Sequence, residues 1–293
     1  MFTLGEVAFQ CFDRVSCECG RDNAAWEDRT SNIKHKHRLP NLLGENGRAN
    51  IDPSQTWWIA VETYSSLNIT VKGDRLPAVA GLAEYLHRTR PDERYLTGLW
   101  TGTFVQDLLW AVVDVTDSSQ AKTPVTKVPS WSWASGPQSR TVAGCVKDLD
   151  TLAEIRELEY HYAIDNPYGV VTGSRLVLRG RLWVFSALHR RQISTWIISA
   201  LMVFKFKNTF LLDSGIPKRE WTFATRLYLL EIAKTQTVDG QIGRTYYLIL
   251  KCTSKSNNSY ARVGRFVAKQ DALSEAHRRK WERLGKENIC IIE

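Results

Sequence analysis

The chain has 293 residues, 43% of them hydrophobic and 24% charged. That is enough apolar material for one large or two modest cores, and it excludes a disulfide-dependent miniprotein or a disordered tail. The 39 basic and 31 acidic side chains leave +8, shared unevenly: residues 1–150 carry 16 basic and 18 acidic groups, residues 151–293 carry 23 and 13. Any attraction to an anionic partner belongs to the second half, where the excess is diffuse.

Residues 1–50 open with an apolar, extended stretch and turn polar, with Gly44, Asn46, Gly47 and Asn50 marking loop; this segment reads as an incomplete domain. The start has no basic n-region, and Glu6, Gln10 and Asp13 interrupt its apolar positions, so no secretory signal forms. Six cysteines, three of them within the first nineteen residues, give no disulfide framework. A reduced, cytoplasmic setting is expected, in which the sequons at Asn68 and Asn257 go unused.

Asp52-Pro53 offers an N-cap with proline at the first helical position, and Trp57, Ala60, Val61 and Tyr64 recur at helical spacing, which predicts a helix over 53–68. A second helix begins at Leu76-Pro77, with Asp74 as a candidate cap, Val79, Ala80, Ala83 and Leu86 on one face and Pro91 as the stop. Thr103 and Gln106 have capping-box spacing and predict a third, with Phe104, Leu108, Leu109 and Val112 on its apolar face. A polar connector over 116–127 then leads into β-favouring runs, expected as strands over 130–134, 154–163, 175–184, 196–206, 222–232, 245–252, 261–267 and 288–292. The apolar run 196–204 is far shorter than the roughly 20 residues a membrane helix needs. A last helix is predicted over 271–284, with Leu273, His277, Trp281 and Leu284 on one face and Gly285 as its stop. The expected fold class is α+β: an N-terminal segment 1–50, a small helical unit 51–125, and a mainly antiparallel β unit 126–293 with the late helix.

Cys11, Cys17 and Cys19 with His35 and His37 have zinc-type donors but not the spacing of a finger or ribbon, so buried thiols and loop histidines are favoured. The pairs Asp114/Asp117 and Asp148/Asp150 and the run Glu154/Glu157/Glu159 are read as solvated carboxylates rather than acid–base machinery. Nucleophile-elbow, P-loop, dinucleotide-fingerprint and His-Glu-x-x-His patterns are absent. Arg190, Arg191, Lys251, Lys255, Arg262, Arg265, Lys269 and Arg278-Arg279-Lys280, with Tyr246, Tyr247, Tyr260 and Phe266 on strands, could serve a basic nucleic-acid or anionic-ligand module. A core role for these aromatics is favoured. No catalytic, cofactor-binding or metal-binding residue is therefore assigned, no cofactor is implied, nucleic acid and membrane are not the expected partners, and an enzyme with a noncontiguous site ranks third.

The densest unusual segment is Pro129-Ser130-Trp131-Ser132-Trp133-Ala134-Ser135. Read as a strand it projects two indoles to one side, either as a sugar-stacking platform or, preferably, as an aromatic plug between helical and β parts, with serines satisfying backbone groups. This segment resembles the Pro-Ser-Trp-Ser-Trp-Ala motif that follows the domain of fungal heterokaryon-incompatibility (HET) proteins. Upstream, Trp57-Trp58-Ile59-Ala60-Val61-Glu62-Thr63-Tyr64-Ser65 is similar to the family's Trp-x-x-hydrophobic-Val-Glu-x-Tyr-Ser run, and residues 74–83 to its Asp-Lys-Leu-Pro-Ala helix. Tyr95-Leu96-Thr97-Gly98-Leu99-Trp100, Leu108-Leu109-Trp110, Leu176–Gly180, Tyr260–Gly264 and 289–292 follow in the family's order. The resemblance covers roughly residues 5–292, with least support over 186–220.

Neither of the motifs that define the HET domain itself occurs in the sequence. The resemblance thus implies the region downstream of that domain, from a truncated or effector-lacking member. It also implies a role in fungal non-self recognition, whose programmed cell death output is attributed to the missing domain, and action through an unspecified protein partner rather than catalysis.

Overall fold

The computed structural model describes residues 8–10, 15–17, 52–67, 71–113, 128–136, 141–142, 148–162, 166–169, 171–186, 210–213, 226–236, 243–269 and 275–293. The connector 116–127 and the strand expected over 196–206 lie outside the described residues. The chain divides into two compact units, Met1–Thr63 and Tyr64–Glu293.

In the first unit, β1 (Ala8–Gln10) and β2 (Val15–Cys17) pair antiparallel, Phe9 opposite Ser16. Helix α1 (Pro53–Ser65) starts there, and its last two residues belong to the second unit. The Ser54 N–H donates to Asp52 Oδ1 at 2.9 Å, as an N-cap requires. Trp57, Ala60 and Val61 are buried, as their spacing predicts.

The second unit begins its helices with α2 (Arg75–His87), which buries Leu76, Val79, Ala83 and Leu86. Asp74 does not cap it: a 3-10 turn over Lys72–Asp74 already runs into the helix, and the Asp74 side chain makes no capping bond. Strands β3 (Tyr95–Leu96) and β4 (Leu99–Trp100) form a tight hairpin. The third predicted helix is one turn only, α3 (Phe104–Asp107). Thr103 does not box with Gln106. Instead its hydroxyl donates to Asp107 Oδ2 at 3.0 Å, and the Trp100 N–H donates to the same oxygen at 2.9 Å. This shared carboxylate folds the chain back on β4, and Ala111–Val112 leaves as strand β5, paired with β6 (Thr141–Val142).

The β part carries the observed α+β architecture, a large and mostly antiparallel sheet with a C-terminal helix and strand. Strand β7 (Asp150–Thr151) precedes β8 (Glu154–Tyr162), which pairs with one edge of the long β9 (Val171–Ser186). Short β10 (Phe210–Leu212) pairs with β13. Strands β11 (Arg226–Lys234), β12 (Arg244–Ser254) and β13 (Ser259–Lys269) form an antiparallel meander. The final strand, β14 (Lys286–Ile292), lies antiparallel to β9 from Lys286↔Leu182 to Ile292↔Leu176, and parallel to β13 at Ser259↔Ile291 and Tyr260↔Ile292. Because β9 also pairs with β11, Leu182 opposite Leu230, the hydrogen bonds run in a closed circle β9–β11–β12–β13–β14–β9. A parallel join needs a crossover, and α4 (Glu275–Leu284) supplies it between β13 and β14.

Sixteen residues let β9 serve two neighbours along one edge, β8 and then β11, while β14 holds the other. Leu176, Leu178 and Leu182 are buried and Arg179 exposed, as the alternation predicts, but Val177 and Trp183 on the opposite parity are buried as well. The outward row is an ion-pair ladder: Arg179 faces Glu154 and Glu287, and Arg175 pairs with Glu157. By contrast, Tyr246–Leu250 on β12 is buried without a break, so both faces of that strand are covered. Trp281 of α4 stacks on Trp183 of β9 at 5.4 Å and 7°, and the Trp183 indole N–H donates to the Trp281 carbonyl at 2.9 Å. Leu284, expected on that buried face, is 46% exposed. A Cβ at Gly285 would stand 2.5 Å from the Trp183 ring. Gly285→Ala is therefore expected to cost about 1–3 kcal/mol in urea unfolding and to change the near-UV circular dichroism of the stacked indoles. Among the described residues no helix is long and apolar enough to cross a membrane.

Candidate functional site

Residues 129–135, expected to enter as a strand, form tight turns ending in a 3-10 turn over Trp133–Ser135. The reason is that three serines take the backbone groups a strand would offer its neighbours. Ser132 Oγ accepts from the Ala134 N–H at 3.2 Å and donates to the Thr97 carbonyl at 2.5 Å. Ser135 Oγ donates to the Ser132 carbonyl at 2.7 Å. Ser130 Oγ donates to the Glu293 carbonyl and accepts from the Arg262 N–H at 2.9 Å, and the Ser130 N–H donates to Glu293 at 3.0 Å. Losing the Ser132 hydroxyl would leave a buried carbonyl and a buried amide without their partner. Ser132→Ala is accordingly expected to cost about 2–3 kcal/mol, read as a lowered urea midpoint with an unchanged slope.

Both indoles are fully buried. They are a plug, not a stacking platform. Trp133 Nε1 donates to the Gly98 carbonyl at 3.1 Å, and Trp131 packs edge-on against Phe104 at 5.7 Å. The receiving hairpin is built for this contact. Leu96 pairs with Leu99, leaving the two-residue loop Thr97-Gly98, with φ of 49° and 98°. Positive φ at both positions is the type I′ geometry that suits the twist of a two-residue hairpin. The turn presents its carbonyls to Ser132 and Trp133.

On the other side the plug meets β13. The Trp110 indole N–H donates to the Trp131 carbonyl at 2.8 Å, and the Arg262 guanidinium lies over the Trp110 ring at 3.6 Å. Arg262 Nη2 donates to the Trp110 carbonyl at 2.5 Å and forms an ion pair with Asp213 Oδ2 at 3.2 Å. Arg265 Nη1 donates to the Leu109 carbonyl at 2.5 Å. Three residues apart on a regular strand, Arg262 and Arg265 would point to opposite faces. The register runs Leu248↔Arg265, Ile249↔Gly264, Leu250↔Arg262, so Val263 is an extra, bulged residue and both arginines reach the same side. The Asp213 N–H donates to the Val263 carbonyl at 2.9 Å and fixes the bulge.

Burial lowers Arg262 to about 10, against the upward pull of Asp213, and the guanidinium stays charged at neutral pH. Burial raises the Asp213 carboxyl to about 6, against Arg262 and then Arg265. A second buried guanidinium, Arg75, is also lowered to about 10 by burial. Its Nη1 donates to the carbonyls of Ala134 and Gly136 at 3.1 and 2.6 Å. Arg75 thus holds one end of the plug on its backbone carbonyls, and Arg262 holds the carbonyl of Trp110, whose indole binds the plug at Trp131. Held groups of this kind position a framework, and they offer no solvent-accessible nucleophile beside a base.

The other sequence candidates separate clearly. Tyr246, Tyr247, Tyr260 and Phe266 are buried, as is Arg262, so they do not form a base-stacking surface; Lys251, Lys255, Lys269 and Arg279 are exposed. Glu154 pairs with Arg156, Glu157 with Arg175, and Asp150 accepts from Gln236 at 3.1 Å. Cys11, Cys19, His35, His37, Asp114, Asp117, Arg190 and Arg191 lie outside the described residues, as does the side chain of Cys17. Nothing in the sequence marks Asp213; only its charge, directly after the apolar Phe210–Leu212 run, hints that it ends a strand. Compared with protein-family models, curated proteins and solved structures, the chain matches none.

Proposed function

We propose that this chain is a non-catalytic, cytoplasmic protein of the heterokaryon-incompatibility type that takes part in fungal non-self recognition through contact with another protein. One observation supports the reading: stretches that resemble the family, distant in sequence, hold one another's shape. Gly98 of the Tyr95–Trp100 stretch receives Trp133, Trp110 receives Arg262 of the Tyr260–Gly264 stretch, and the carbonyl of Glu293, next after the 289–292 stretch, receives Ser130. Residues assembled for catalysis would converge on an accessible reacting group, whereas these stretches converge on a closed interlock. Its function in this reading is to keep exposed surface in one arrangement for a partner.

The test is expression of the whole chain, fused to a proximity-labelling enzyme, in a compatible fungal strain, followed by fusion with compatible and incompatible strains. Expected are normal growth before fusion and a labelled protein set that changes only on incompatible fusion. Growth arrest from the chain alone, or a labelled set indifferent to the fusion partner, would overturn the proposal.

A further inference from the structure

We infer that the cluster of Arg262, Asp213 and Arg265 is a buried binding site for one small monovalent inorganic anion of the chloride type. The cluster holds two guanidiniums and one carboxylate; the Arg262 and Asp213 side chains are 0% and 5% exposed, and Arg265 is half-buried with its Nε fully covered. Arg262 spends only Nη2 on acceptors, the Trp110 carbonyl and Asp213, and Arg265 spends Nη1 on Leu109. Among the described residues Arg262 Nε, Arg262 Nη1 and Arg265 Nε are buried donors without an acceptor, and Asp213 Oδ2, ion-paired to Arg262, accepts no hydrogen bond. Each such group is costly to leave unmade, and three in one cluster call for a ligand.

Charge decides which ligand. Water would accept the hydrogen bonds but leave one cation uncancelled in a medium where an unbalanced ion is expensive. A single anion cancels that charge and accepts from the Nε donors, bringing the cluster to two positive and two negative charges; Arg262 Nη1, which shares no edge with Nε, is outside its reach. The bulge at Val263 is what makes this possible, since it turns both guanidiniums to one side. Trp110 closes one face of Arg262 at 3.6 Å, so the ion must shed its water to bind. Chloride and bromide surrender hydration more readily than sulfate, and their single charge matches the surplus. Arg75 also has buried donors without acceptors, Nε and Nη2, but it lacks a second guanidinium beside it and so the surplus that selects an anion.

The experiment is urea unfolding of the full chain in sodium chloride, sodium bromide and sodium gluconate at one ionic strength. The unfolding equilibrium constant should fall about tenfold when chloride reaches about ten times its dissociation constant. Bromide should act alike and gluconate should not act. Arg265→Gln removes the surplus cation and is expected to unfold identically in all three salts. Crystals of the wild-type chain soaked in bromide should show an anomalous peak within hydrogen-bonding distance of Arg262 Nε, a readout independent of whether the variant folds. Identical wild-type unfolding in the three salts, an undiminished chloride response in Arg265→Gln, or a bromide map with no peak at the cluster would each overturn the assignment.

Discussion

Replacing Arg262 by methionine is expected to destabilise the second unit by about 3–5 kcal/mol at neutral pH, because removing one partner of a buried ion pair strands the other. The methionine fills much of the volume over Trp110, so the loss is electrostatic rather than a cavity. Asp213 keeps its place through its N–H bond to Val263, and the Trp110 carbonyl loses its donor. The pH dependence follows from the direction of the carboxyl shift. With Arg262 present, burial already holds the Asp213 carboxyl at about 6, above its ordinary value of about 4. Such a group contributes its full stability below the unfolded value and loses it as the pH rises through the folded one. Taking away Arg262, the larger of the two downward pulls, raises the carboxyl further. The deficit of the variant should therefore be smallest in acid and grow as the pH rises past about 6. Asp213→Asn, which keeps the shape without the charge, should lose less than Arg262→Met at neutral pH. Urea unfolding of the three proteins between about pH 4 and pH 8 checks this. A deficit below about 1 kcal/mol at neutral pH, or one that shrinks as the pH rises, would refute the account of the cluster.

The same residues show what was legible beforehand. Helices α1 and α2 could be read from period and punctuation, because each presents a face whose spacing records its burial, and strands β8, β9, β12 and β13 from β-favouring runs bounded by turn residues, although β12 is buried on both faces. The third helix failed for a reason no period contains: Asp107 binds groups on the preceding hairpin, and the carbonyls that would continue the helix are taken by arginines 152 and 156 residues away. The strand expected at residues 130–134 failed likewise, since the serines found local and distant backbone partners. Arg262 and Arg265 looked like surface charge because composition cannot see a bulge. One extra residue, Val263, set two cations on one side, Arg262 buried and Arg265 half-buried beside it. Pattern recorded the regular elements, and side-chain to backbone bonds across long separations decided the rest.

The plug offers the second large effect, and a coupling that only this geometry predicts. Trp133→Ala should cost about 3–5 kcal/mol, the usual range for deleting a fully buried aromatic side chain. It also removes the indole bond to the Gly98 carbonyl and strips the ring that lies 5.4 Å from Arg75. Gly98→Ala should cost about 2–4 kcal/mol from two sources, backbone strain and overpacking. Gly98 has φ of 98°, where a side chain is disfavoured, and its added Cβ would fall 2.3 Å from Trp133 Nε1, with the two next nearest atoms also in that ring. The second source vanishes when the ring is gone. In the double variant Gly98→Ala should therefore add only its backbone strain, about 1 kcal/mol, giving a favourable coupling of about 1–3 kcal/mol in a double-mutant cycle. Pairing Gly98→Ala with Gly285→Ala supplies the contrast, since the Cβ added at Gly285 meets Trp183 instead. Those two losses should sum within about 0.5 kcal/mol. Additivity in the first pair would mean that the Thr97-Gly98 turn and Trp133 do not meet as described, and the plug would lose its tightest contact.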